Sequence, residues 1–231
     1  MKKISLFSSI AVTAALAAAM AAPASADVVW NFSTLLPSAD HNTTLGATQL
    51  FSQGTLSMTA SALIPSGTDW AVSGCASTST APCLYDKYSS DPTETGLGLV
   101  PNANNEIYYP NGIGLTSNQV FSSIEIGSVQ TNESWAFLGC SATFTGCTTL
   151  DSGIGSTGNT VTFSNLGAYG SYVVDVLCPN SSTCGNGTTD SSNNIVLMSA
   201  TTVPEPATLA LFAIGLAGVG FAIRRRHRRS N

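Results

Sequence analysis

At 231 residues the chain suits one folded domain once its two apolar ends are set aside. The formal net charge of −5 hides an asymmetry: between Asp27 and Val203 twelve acids stand against one base, Lys87, so that portion is near −11. A body so negative repels phosphate backbones and anionic membrane surfaces, which argues against nucleic acid as a partner; its charge favours solubility and attracts divalent cations.

The first residues read as an export signal. Lys2 and Lys3 precede an apolar stretch, residues 4–20, and then come Pro23 and the small-residue triplet Ala24, Ser25 and Ala26. That is the order of parts in a secretory signal peptide, so residues 1–26 are expected to form a signal helix cleaved after Ala26. Asp27 then becomes the mature N-terminus.

Residues 27–202 are rich in Ser, Thr, Asn and Gly and poor in the residues that fill helices, which favours strands and turns. Short alternating segments predict strands near residues 28–32, 55–63, 106–109, 120–126, 135–138, 160–163, 171–177 and 194–199. Eight or more such strands without an amphipathic helix predict an all-β fold, a jelly-roll-like antiparallel β-sandwich. Ile124 and Ile126 flank Glu125, which should therefore face solvent. In 171–177, Tyr172 and Val174 share one face and Val173 and Asp175 the other, and no register follows from that.

All six cysteines lie in this portion, as an oxidising compartment allows. They fall into the close pairs Cys75 with Cys83, Cys140 with Cys147, and Cys178 with Cys184. Sequential pairing closes three short polar loops, each restraining the unfolded chain by about 2 to 3 kcal/mol. A metal reading lacks any C-x-x-C spacing, and His41 is the single histidine outside the basic tail.

Catalytic patterns are thin. Gly153-Ile154-Gly155-Ser156-Thr157-Gly158 matches G-x-G-x-x-G, but a strand and no helix follows it, so it reads as a flexible hairpin loop. Asp40-His41 reads as a solvated turn, since adjacent residues on an extended chain point in opposite directions and no G-x-S-x-G elbow is present. Glu94, Glu106, Glu125 and Glu133 are available for the paired carboxylates of a glycosidase, with their spacing in the fold open. Asp86, Asp91, Glu94 and Glu106 gather in a Gly- and Asn-rich region suited to a structural calcium ion; no other cofactor is expected. Tyr108, Tyr109 and Trp135 are candidate platforms for sugar rings.

The C-terminal part, residues 203–231, carries the sharpest pattern. Val203, Pro204, Glu205 and Pro206 precede an apolar run, residues 207–223, and Arg224, Arg225, Arg226, His227, Arg228 and Arg229 follow. Seventeen helical residues span roughly 25 Å, the short end of what crosses a bilayer core. The arginines act as a stop on the cytoplasmic side and leave the body outside. Pro204 and Pro206 hold the backbone extended around Glu205, as a peptide in a protease groove requires. This arrangement resembles a PEP-CTERM sorting signal. The resemblance implies an exosortase as partner, a transient membrane anchor, cleavage near Pro-Glu-Pro, and delivery to the cell surface or extracellular matrix.

A second stretch is similar to the central region of many PEP-CTERM exported proteins. It comprises residues 84–88, 94–99, 105–107 and 111–113, followed by Ile124-Glu125-Ile126-Gly127 and Trp135-Ala136-Phe137. That similarity implies a β-sandwich resembling carbohydrate-binding modules and names no ligand. The function expected is thus a non-enzymatic exported surface or matrix protein associated with exopolysaccharide and biofilm. The alternatives are a glycan binder, with or without calcium, and a secreted glycosidase.

Overall fold

The computed structural model describes residues 27–36, 41–75, 80–101, 104–155, 160–164, 166–177 and 194–203. Their strands are β1 Val28–Asn31, β2 Thr44–Gly46, β3 Thr48–Gln53, β4 Leu56–Ser66, β5 Asp69–Val72, β6 Cys83–Lys87, β7 Gly96–Val100 and β8 Ile107–Tyr108. The later ones are β9 Gly112–Ser117, β10 Val120–Gly127, β11 Ser134–Cys140, β12 Thr148–Ile154, β13 Thr160–Ser164, β14 Ser171–Val176 and β15 Asn194–Val203. One 3-10 turn, Pro92–Glu94, sits between β6 and β7.

The strands form two antiparallel sheets. The first runs β13-β10-β15-β7-β6-β2, with β1 and β8 also on β15; the second runs β12-β11-β14-β9-β4-β3, with β5 on β4. From β7 onward, leaving out β8, eight strands trace a jelly roll. The first pairs with the last, β7 with β15, and inside that pair nest β9 with β14, β10 with β13 and β11 with β12. Rolling up such a ribbon sends successive pairs to opposite sheets, as observed.

The core between the sheets follows from strand alternation. On β10, Phe121, Ile124 and Ile126 are buried, while Glu125 lies outward and accepts a hydrogen bond from Ser199 Oγ at 3.1 Å. Phe137 stacks between Phe163 and Tyr172, with centroids 4.5 and 5.5 Å away, and Trp135 meets Phe163 edge-on.

β14 is buried on both faces. Tyr172, Val174 and Val176 enter the main core, whereas Val173 joins Leu63, Cys140 and Phe144 in a second cluster on the outer side of its sheet. The Cys140–Cys147 disulfide closes a short loop that carries Phe144 over that face. The Cys75–Cys83 bond is also present, and Cys178 and Cys184 lie outside the described residues.

β7 and β9 escape the alternation pattern because glycines interrupt them. A side chain at Gly98 would collide with the carbonyl of Asn105, and one at Gly114 with the Phe144 ring, so these strands give up side chains where outer segments pack on them. The G-x-G-x-x-G segment is not a hairpin loop either. β12 and β13 belong to different sheets, so the connection between them crosses the sandwich.

Candidate functional site

β15 organises the end of the sandwich from which the C-terminal segment departs. Over residues 196–203 one edge pairs with β10, while Leu197 pairs with β7 and residues 199–202 with β1. The register sets Val28 opposite Thr202 and Val120 opposite Val203. The strand following the expected signal cleavage site therefore lies beside the strand that leads into Pro204. The indole of Trp30, fully buried, donates from Nε1 to Thr202 Oγ1 at 3.0 Å and ties the two together. Pro204 follows Val203 directly, and with no N–H it has nothing to donate to a ladder.

The PEP-CTERM protein-sorting motif matches residues 202–226. The chain thus carries a PEP-CTERM sorting signal. The match begins within β15, so Thr202 and Val203 belong both to the folded sandwich and to the sorting signal. The motif supports exosortase-dependent sorting of an exported protein to the cell surface. No curated protein and no solved structure matches the chain. Pro204, Glu205, Pro206, the arginines at 224, 225, 226, 228 and 229, and Ala24 and Ala26 lie outside the described residues. So does the apolar run 207–223; among the described residues no helix is long and apolar enough to cross a membrane.

At the opposite end of β15 the sandwich gathers carboxylates. Lys87 on β6 contacts Glu106 Oε1 directly and lies 3.8 Å from Glu94 Oε2; Ser128 Oγ donates to Glu106 at 2.9 Å. Lys87 and Glu106 are largely buried, with side chains 14% and 5% exposed, so the body's one base is consumed internally. Glu133 accepts from the backbone N–H groups of Gln130 at 2.6 Å and Asn194 at 3.1 Å. Burial pushes its carboxyl up to about 7; those two hydrogen bonds pull the other way, and the nearby Glu106 and Glu94 add to the rise. Asp175, on the outer side of β14, is raised well above the ordinary value by burial, against a bond from the Val176 N–H.

A raised carboxyl stabilises the fold below its unfolded value, and that contribution is lost as pH rises through the folded one. For Glu133 this window runs from about 4.5 to about 7. Urea-unfolding midpoints are expected to fall from about pH 5 to about pH 8, and Glu133→Gln is expected to flatten the profile. A profile with the same slope in wild type and variant removes Glu133 as its source.

The candidate calcium ligands do not converge. Asp86 points inward beside Leu97, Asp91 caps the 3-10 turn by accepting from Thr93 N at 2.9 Å, and Glu94 and Glu106 turn to Lys87. The Thr93 N–H and hydroxyl hold the Asp91 carboxyl below its usual value. Among the described residues no three His, Cys, Asp or Glu are placed to hold a metal ion. Glu125 stands apart from the other glutamates, on Ser199.

Two readings of the sugar platform need correction. Tyr108 and Trp135 are core residues, 3% and 7% exposed, because the pairing of β8 with β15 and of β11 with β14 turns both rings inward; Tyr109 alone of the three is open, at 37%. Asp40 lies outside the described residues; His41 does lie in a turn, but its side chain is only 18% exposed and not simply solvated. Its Nδ1 lies 2.7 Å from Asp86 Oδ2, and its ring stacks on Tyr88 at 4.8 Å. Residues 45 positions apart make that dyad, and no local spacing announces it.

Proposed function

We propose that this protein is a non-enzymatic display domain, exported across the inner membrane and held there by its C-terminal run. The exosortase then severs that run, and the sandwich passes to the cell surface or matrix among extracellular polysaccharide. The observation that carries this reading is the junction itself. Both terminal segments join the sandwich at one end, and the sorting motif overlaps only the last two residues of β15, so removal of residues 1–26 and of the chain from Pro204 onward leaves every described strand in place. The non-enzymatic part is supported by the state of the carboxylates. Glu106 and Glu133 are each 4% exposed and already bonded within the protein, whereas a glycosidase presents an open facing pair to its substrate. No cofactor enters this function.

The test is Glu205→Ala in the native host, followed by fractionation and intact mass. The wild-type chain is expected to be found shortened and outside the membrane fraction. The variant is expected to stay full length in that fraction, because the acid between the two prolines is the one charged element of the recognised peptide. Identical processing of the two would refute the assignment.

A further inference from the structure

We infer that the end of the sandwich bearing Val29, Val120 and Val203 is a bilayer-docking face, seated on lipid headgroups until the tag is cut; this rests on the anchored state proposed above. Residues 28, 30, 200 and 202 face the core, where Trp30 and Ala200 are fully buried, so Val29, Thr201 and Val203 face outward. Val120 lies opposite Val203, and Val29 is its diagonal neighbour across β1. The three form one apolar outward patch, with Val29 57% and Val120 40% exposed.

Chain length decides what meets this patch. Pro204, Glu205 and Pro206 alone separate β15 from the apolar run that starts at Ala207. Four extended steps reach about 13 Å at most. The headgroup layer takes roughly 5 to 7 Å of that reach on each side of the hydrocarbon. A folded end on so short a tether stays within about 6 to 8 Å of the headgroups, and the residues nearest to them are those beside Val203.

Charge placement agrees with this partner. Glu106 adjoins Ile107, which pairs with Ile195, and Glu133 accepts from Asn194, so both lie at the start of β15. That is about 30 Å from Val203 along the strand and several Debye lengths away at physiological salt. Glu125, opposite Ser199, stands roughly 13 Å up the face, and Asp27 adjoins the patch as the first mature residue. Of these four acids, Asp27 alone adjoins the face that meets the lipid.

The experiment uses the full chain in protein-free phosphatidylcholine vesicles. An environment-sensitive fluorophore is placed, under non-reducing conditions, at Val29→Cys, at Val120→Cys, or at Ile154→Cys, a 62% exposed position at the opposite end of the sandwich. A quencher carried on the lipid headgroup is expected to dim the probes at 29 and 120 several-fold more than the probe at 154. Equal quenching at all three, in chains that float with the vesicles, overturns the docking face alone and leaves the anchor standing; a face built for the exosortase instead of lipid gives that result. Chains that do not float overturn the anchor and the face together.

Discussion

Trp30→Ala is expected to lower the unfolding free energy by about 3 to 5 kcal/mol, read as a shift of the urea midpoint at constant slope. Trp30 heads the largest fully buried side chains, and β1, which carries it, is held by four register pairs to β15. Its loss removes the transfer free energy of the indole, leaves a cavity against Phe32 and the core, and strips Thr202 Oγ1 of its donor. Trp30→Phe separates these parts. It keeps most of the packing and loses the hydrogen bond, so a smaller loss of about 1 to 2 kcal/mol is expected. A Trp30→Ala chain within about 1 kcal/mol of wild type would show that β1 does not pin the end of β15.

Lys87→Ala is the second large effect, about 3 kcal/mol or more. The change leaves Glu106 with a carboxylate 5% exposed and no cation, since no other base stands between Asp27 and Val203. The paired variant Lys87→Met with Glu106→Gln removes both charges and keeps the volume, and it is expected to recover most of that loss. If the double variant is as unstable as Lys87→Ala, the ion pair is itself net stabilising, and the unpaired Glu106 carboxylate is not the source of the loss.

How the charge cluster forms also shows why it was hard to read in advance. Its members come from β6, from the turn before β7, from the segment before β8 and from the loop between β10 and β11. Local alternation found the strands with clean Val, Ile or aromatic patterns, β1, β4, β10, β11, β13, β14 and β15, and the short β8. It missed β2, β3, β5 and β6; it also missed β7 and β9, whose glycines make room for Asn105 and Phe144, and β12, whose Thr, Asp and Ser side chains belong to an edge. Trp135 and Tyr108 looked like available platforms because composition does not report which way a ring turns. The pairing of β11 with β14 and of β8 with β15 turned them inward.

The linear features of the chain settled its destination. The sorting motif and its order of proline, acid, apolar run and arginines are contiguous in the chain, so sequence suffices to recognise them. The short disulfide loops were legible for the same reason, since loop closure over seven or eight residues is a local event. The tertiary structure alone decided that His41 meets Asp86, that Lys87 is spent on Glu106, and that the first and last strands of the body lie side by side. Those outcomes depend on closure of the two sheets over one core, a free energy shared by residues far apart in the chain, and no window of sequence contains it.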